Sequence, residues 1–314
     1  MSEKSRAVFA LITCVFFWGI SFVSTKIAGV VFPPMSLGAL RFALALVFLV
    51  FIKNRVIPGE KLTIQDLPLL IGAGLTGVTL YFFFENTGLG LISASEASII
   101  IASIPALTLG AEWLEGKLPR PGKGGGEPAR IPGRRWLGAL ISMIGVVLTA
   151  QGAPLPGSEP LLSGAAAGGK AEGTILGYFC MAGAALSWVA YCFLTRPLFS
   201  RRSRLYIVYW QTFFGFLAFI PFAAGEFSRW GRPDPGIILH VVFLGLCCSA
   251  LAYWFYAQSL SVLGIPVSAL FLNFVPVITV IAGFLILGER LSPIQWAGAA
   301  LVLAGVYLAT YKGS

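Results

Sequence analysis

Charge is scarce in this 314-residue chain: 11% of its residues are charged, against 57% hydrophobic. A soluble domain carries about 25% charged residues. Too little polar surface remains to cover a water-soluble globule of this length, so a bilayer must be the solvent for much of it. Histidine is reduced to His240, and aspartate to Asp66 and Asp234, both in expected loops. An intramembrane enzyme needs a nucleophile–base pair, paired aspartates or a metal-ligand set. These residues do not supply one, so no catalytic residue, metal site or cofactor is expected. The five cysteines, Cys14, Cys180, Cys192, Cys247 and Cys248, lie inside apolar runs without CxxC or Cys/His spacing. They read as small core- or lipid-facing residues. No GxxxxGK[ST] stretch occurs, which excludes ATP as the direct energy source.

What the chain has instead is long apolar runs. A transmembrane helix needs about 20 mostly apolar residues. The runs and their polar breaks predict spans near 7–29, 34–52, 67–88, 92–113, 136–152, 173–195, 205–224, 236–258, 262–287 and 293–311. The first run has a basic start at Lys4 and Arg6, but it reaches spanning length, so it is expected as a retained helix rather than a signal peptide. Pro33-Pro34, Pro58-Gly59, Pro121-Gly122 and Pro233 to Pro235 mark loops.

The net charge of +9 invites a nucleic-acid reading, but the basic residues sit at the ends of apolar spans. Counted by alternate loops, 16 Lys and Arg fall on one side and 4 on the other, with Lys26 and Arg41 left inside spans. The excess is expected to face the cytoplasm, which places both termini inside. The partners this implies are the lipid bilayer and a small-molecule solute, with no nucleic acid.

The chain is written twice. WLGALISMIGVVL (136–148) lines up with WAGAALVLAGVYL (296–308), and YFFFENTGL (81–89) with YWFYAQSLS (253–261). Pro105 matches Pro276, and LEGKL (114–118) echoes LGERL (287–291). FWGISFVSTK matches SWVAYCFLTR (187–196), placing Trp18 on Trp188 and Lys26 on Arg196. Each half holds five spans, an odd number, so the second half must enter the membrane upside down. The expected fold is an all-α polytopic membrane protein with ten transmembrane helices in two inverted five-helix repeats, 1–152 and 173–314, joined by a loop at 153–172. Inverted repeats around a midplane site are a common plan for secondary transporters.

These same residues carry a resemblance. WG-x-SF-x-x-x-K in span 1, LRF (40–42), Pro105 in span 4, and Pro276 with LGERL in span 9 resemble the drug/metabolite transporter superfamily, in its EamA-type ten-helix branch. The resemblance covers nearly the whole chain. It implies two five-helix repeats around a central cavity that opens alternately to each side. It also implies a small organic solute, often an amino acid, metabolite or toxic compound, and often export across a bacterial-type cytoplasmic membrane. The fifth and tenth helices would lie at the periphery, where a homodimer contact is conceivable. The loop at 115–135 is long for the family. Multidrug efflux is the alternative solute class. A non-transporting membrane sensor or scaffold is the alternative of a different kind.

Charges inside a bilayer are costly and need a partner, water or a function. By a rise of about 1.5 Å per residue, Lys26, Arg41, Glu85 and Glu96 all fall in the outer third of the first half, a candidate charge cluster or gate. Arg41 is the leading candidate for a carboxylate-binding group, since Arg offers two parallel hydrogen bonds. Its alternative is a structural ion pair with Glu85 or Glu96. Trp18, Tyr81, Trp188 and Tyr253 are repeated aromatics that either belt the interface or line the cavity. Asn273 is a further candidate for solute contact. Pro105 and Pro276 are expected helix breaks, which occur at transport sites and at simple kinks alike. At the inner end, Arg196 reads as an interfacial anchor, with Glu112 as a candidate to neutralise it.

Overall fold

The computed structural model describes residues 2–117, 132–151, 170–287 and 292–310. Every regular element among them is helical. The helices are α1 (Glu3–Ala28), α2 (Pro34–Val56), α3 (Leu67–Gly74), α4 (Tyr81–Leu89), α5 (Ala94–Ile101), α6 (Ile104–Lys117) and α7 (Gly133–Gln151). They continue as α8 (Lys170–Thr195), α9 (Arg204–Glu226), α10 (Pro235–Phe243), α11 (Ala252–Leu263), α12 (Ile265–Phe271), α13 (Phe274–Ala282) and α14 (Pro293–Thr310). Short π-helical stretches, Leu75–Leu80 and Leu244–Leu251, weld α3 to α4 and α10 to α11. An unbroken hydrogen-bonded backbone is what a hydrocarbon solvent demands, because it offers no partner to a free N–H or C=O.

Among the described residues, seven helical stretches are long and apolar enough to cross a membrane. The rest of the expected spans correspond to Ala94–Lys117, Gly133–Gln151 and Pro293–Thr310. The first of these is interrupted at 102–103. Of the linker expected at 153–172, only 170–172, the start of α8, is described. All but Leu287 of the LGERL stretch (287–291), and most of the loop at 115–135, lie outside the described residues.

Both expected breaks are present. Pro105 lies in the first turn of α6 and Pro276 in the first turn of α13, each just after a two-residue interruption. A proline is tolerated there because the first turn has no helical partner for its N–H. Gly264 turns the chain between α11 and α12 at φ 81°, a conformation that favours glycine.

The pairings between the two halves repeat with the halves exchanged. The α1 helix packs on α11 and α13, while α8 packs on their counterparts α4 and α6. α2 packs on the π segment before α11, while α9 packs on the π segment before α4. α2 lies along α9, and α7 along α14. Both of these last pairs run antiparallel. The start of α2 meets the end of α9 through Ser36 and Glu226. In the other pair, a Cβ at Gly145 would lie 2.6 Å from the carbonyl oxygen of Gly298, and a Cβ at Gly305 would collide with that of Gly138. Paired glycines let these backbones touch, as small residues do in membrane helix packing. The glycine faces of the fifth and tenth expected helices are therefore occupied by each other within one chain.

This close approach has a measurable consequence. An exposed-face glycine replaced by alanine in a helix gains about 0.5–1 kcal/mol, and Gly110, whose Cβ would meet nothing within 4 Å, is such a site. At Gly145 the backbone overlap costs about 1–3 kcal/mol and outweighs that gain. Gly145→Ala is expected to lower the melting temperature of detergent-purified protein, and Gly110→Ala to leave it level or raise it. Equal shifts for both would show that α7 and α14 are not in close contact.

Candidate functional site

Arg41 sits on the buried face of α2, in register with Met35, Gly38, Phe42, Ala45 and Leu49. Helical spacing therefore turns it inward, and it has no exposed surface. Its Nε donates to Ser249 Oγ at 2.9 Å, from the π segment before α11. Its guanidinium carbon lies 4.1 Å from the centre of the Phe82 ring, a cation–π contact. Nη1 stands 4.0 Å from Glu85 Oε2, an ion pair too long for a hydrogen bond. Nη1 and Nη2 have no hydrogen-bond partner among the described residues. Glu85, one turn beyond Tyr81 on α4, accepts a 3.2 Å hydrogen bond from the Tyr81 hydroxyl through its other oxygen.

These groups border a cavity of about 20 Å³ at the centre of the molecule, space for about one water. Trp18, Trp188, Tyr81 and Phe82 supply its aromatic walls. Ile101 and Ile104 flank one helix break, and Leu272 and Val275 the other, so both interruptions open onto it. The rings form one cluster. Trp18 and Trp188 meet edge to face at 5.1 Å, and Tyr81 lies 5.0 Å from Trp188. Tyr253 packs behind, 5.8 Å from Trp18 and 5.6 Å from Trp188. Trp18 Nε1 donates to the Cys248 carbonyl at 3.0 Å, and the Tyr253 hydroxyl donates to the Gly77 carbonyl. Both acceptors lie in the π segments, whose wider turns are frequent at functional sites.

The candidates divide accordingly. Trp18, Arg41, Tyr81, Glu85 and Trp188 come together around the cavity, with Tyr253 as the layer behind them. Asn273 is not among the lining residues; its Nδ2 donates to Ser142 Oγ on α7 at 2.9 Å. Glu96 is engaged elsewhere. Its Oε2 accepts from the Ser93 N–H, while Ser93 Oγ accepts from the Glu96 N–H, a capping box on α5. Its Oε1 accepts from the Tyr178 hydroxyl at 3.1 Å. The Ser-x-x-Glu spacing at 93–96 is the signal that identifies this role. Lys26 lies partly buried in the last turn of α1 and is not among the residues that line the cavity. Arg196 pairs with Glu115 at 3.1 Å and Glu112 at 3.9 Å on α6. Sequence reasoning missed Phe82, Ser249 and Ser21. Phe82 is signalled by its spacing of three from Glu85. Ser249 sits in an apolar run with no such signal.

Residues 5–118 and 175–311 match the model of the EamA-like transporter family. The chain belongs to this family. An uncharacterized transporter of Archaeoglobus fulgidus is 27% identical over 94% of this chain and 95% of its own length. A probable terminal-alkyne amino-acid exporter of Streptantibioticus cattleyicolor is 25% identical, over 98% and 94% respectively. A probable amino-acid metabolite efflux pump of Escherichia coli is also 25% identical, over 98% and 95%. A crystal structure of a protein with 21% identity shares the fold, with a TM-score of 0.67 over 98% of this chain and 96% of that one.

In this EamA-like transporter the α2–α9 pair carries a polar clasp at each end. At one end the Ser36 N–H and hydroxyl donate to Glu226 Oε2 at 2.8 and 3.0 Å, and Trp230 Nε1 donates to Ser36 Oγ at 2.7 Å. The Gly231 N–H donates to the Val31 carbonyl beside them. At the other end Arg202 donates to Asp66 Oδ2 at 2.6 Å and to Thr63 Oγ1 at 2.7 Å. The Tyr206 hydroxyl also donates to Asp66, and Ser203 donates to Glu60.

Asp66 is 1% exposed. Burial raises its pKa, but the hydrogen bonds from Thr63, Arg202 and Tyr206 and the charge of Arg202 outweigh burial and hold it below the ordinary 3.8. A depressed native value means that its stabilisation is complete above the unfolded value and is lost as pH falls through the native one. Asp66→Asn is expected to cost about 1–3 kcal/mol at neutral pH and to lose less on further acidification than wild type. Melting curves against pH test this. A variant whose acid limb runs parallel to that of wild type would show that Asp66 carries none of it.

Proposed function

We propose that this protein is a secondary transporter that moves a small organic solute, an amino acid or similar metabolite, out across the cytoplasmic membrane by alternating access. In this reading the chain crosses the bilayer ten times, in two inverted five-helix repeats, with both termini in the cytoplasm. The antiparallel pairing of α2 with α9 and of α7 with α14, together with the exchanged pairings elsewhere, supports the inversion. The bias of Lys and Arg toward one set of loops supports the orientation. The names of the relatives, an amino-acid exporter and an amino-acid metabolite efflux pump, support the solute class and the direction.

The observation that carries the reading is a central cavity with a buried ion pair, between halves clasped at both ends. Its volume is far below the few hundred Å³ of an occupied ligand site. Solute entry therefore requires one clasp to open and the halves to part, and release requires the other. Opening both together would leak, so the two clasps must alternate.

The test is transport by the full chain in liposomes loaded with labelled amino acids. Val31→Cys with Gly231→Cys is expected to block efflux when oxidised, and so is Thr63→Cys with Arg202→Cys. Reduction is expected to restore it in each case. Wild-type rates with either cross-link formed would refute alternation between the two ends.

A further inference from the structure

We infer that the central cavity takes a zwitterion, an α-amino acid with an apolar or aromatic body, with its carboxylate on Arg41 and its ammonium on Glu85. This rests on the transporter reading and names the solute chemistry of the same site. Arg41 is wholly buried and lines the cavity, yet Nη1 and Nη2 have no hydrogen-bond partner among the described residues. An unsatisfied buried donor costs about 1–3 kcal/mol, more when charged, so two parallel donors on one guanidinium beside the cavity present a hydrogen-bonding face of definite shape. The pair of Nη donors matches one carboxylate, held by two parallel hydrogen bonds. The remaining donor, Nε, is already fixed by Ser249, and Phe82 holds the plane from one side. Arg41 is thus preset before the solute arrives.

Charge balance selects among anions. The cavity contains one cation, Arg41, and one anion, Glu85, 4.0 Å apart. A zwitterion satisfies both and adds no net charge to a water-poor space. A lone carboxylate takes Arg41 and leaves Glu85 uncompensated, and a doubly charged phosphate leaves more. A lipophilic cation meets the guanidinium head-on. Uncompensated charge inside a bilayer is the most expensive outcome available, so these ligands rank below the zwitterion. The rest of the wall is Trp18, Trp188, Tyr81 and Phe82, which suits an apolar or aromatic side chain.

The experiment uses purified full-length protein and four probes. They are L-phenylalanine, phenylalaninamide (no carboxylate), 3-phenylpropionate (no ammonium) and tetraphenylphosphonium. A ligand that binds only the folded state raises its melting temperature according to RT ln(1 + [L]/Kd), and proteoliposome flux of each probe is read in parallel. The expected order for wild type is phenylalanine, then 3-phenylpropionate, with the amide and the phosphonium weaker still. Arg41→Gln is expected to weaken phenylalanine by roughly tenfold to a hundredfold. Glu85→Gln leaves Arg41 as the sole charge and is expected to reverse the order, with 3-phenylpropionate binding more tightly than phenylalanine. That reversal is a gain of affinity, which a merely misfolded variant does not produce. Amide binding equal to that of phenylalanine in wild type would overturn the assignment, as would phosphonium binding that is equal in wild type and Arg41→Gln. Flux of the amide or the phosphonium in either case would leave the transporter reading standing. No binding or flux of any probe, alongside cross-link-sensitive flux of other amino acids, would overturn the assignment alone.

Discussion

A guanidinium with no exposed surface, in a chain whose solvent is largely hydrocarbon, is the constraint on which the centre of this molecule turns. Arg41 stays charged at any accessible pH, so its surroundings have to supply what water would. They do so with three residues on two elements: Ser249 from the π segment before α11, and Phe82 and Glu85 from α4. Each gives part of the compensation, and together they tie both halves of the chain to one point. In the proposed reading, the incompleteness of that compensation is what a solute completes. A fully satisfied arginine would be a structural ion pair and nothing more.

The rest of the architecture frames this point, and under the proposed alternating access it would have to open at either end. The long α2–α9 contact carries polar clasps at its two ends and apolar packing between them. The clasp hydrogen bonds end on the carboxylates of Glu226, Asp66 and Glu60, which makes them charge-assisted. The aromatic rings at the centre, by contrast, pack edge to face around the small cavity. The helix interruptions before Pro105 and Pro276 meet the cavity from opposite halves, so both walls include short half-helices.

Some of this was legible in the residues alone. The inward turn of Arg41 follows from its spacing among apolar neighbours on α2, and Glu85 was one of two carboxylates named for it. The breaks at the two prolines follow from ring geometry. The grouping of Lys26 and Glu96 with Arg41 did not emerge in the structure, for a physical reason. Depth along a helix axis places residues in a layer, but azimuth decides which of them meet. Glu96 was expected in the same layer as Arg41, but its local backbone captures it as a helix cap. Asn273 went to a neighbouring helix, because an amide at a helix break finds its nearest donor or acceptor there.

Composition and periodicity by themselves determined that the chain is helical, membrane-embedded and internally duplicated. Those properties depend on sums over many residues and survive ignorance of any single contact. Only the tertiary structure decided which charges pair and which aromatic rings close over them. It also decided that Arg41 keeps two donors open, and that α7 and α14 bury their glycines in each other. These outcomes hang on the rotation of each helix about its own axis and on one-residue offsets introduced by the π segments. Close packing of distant stretches sets both, and hydropathy does not record them.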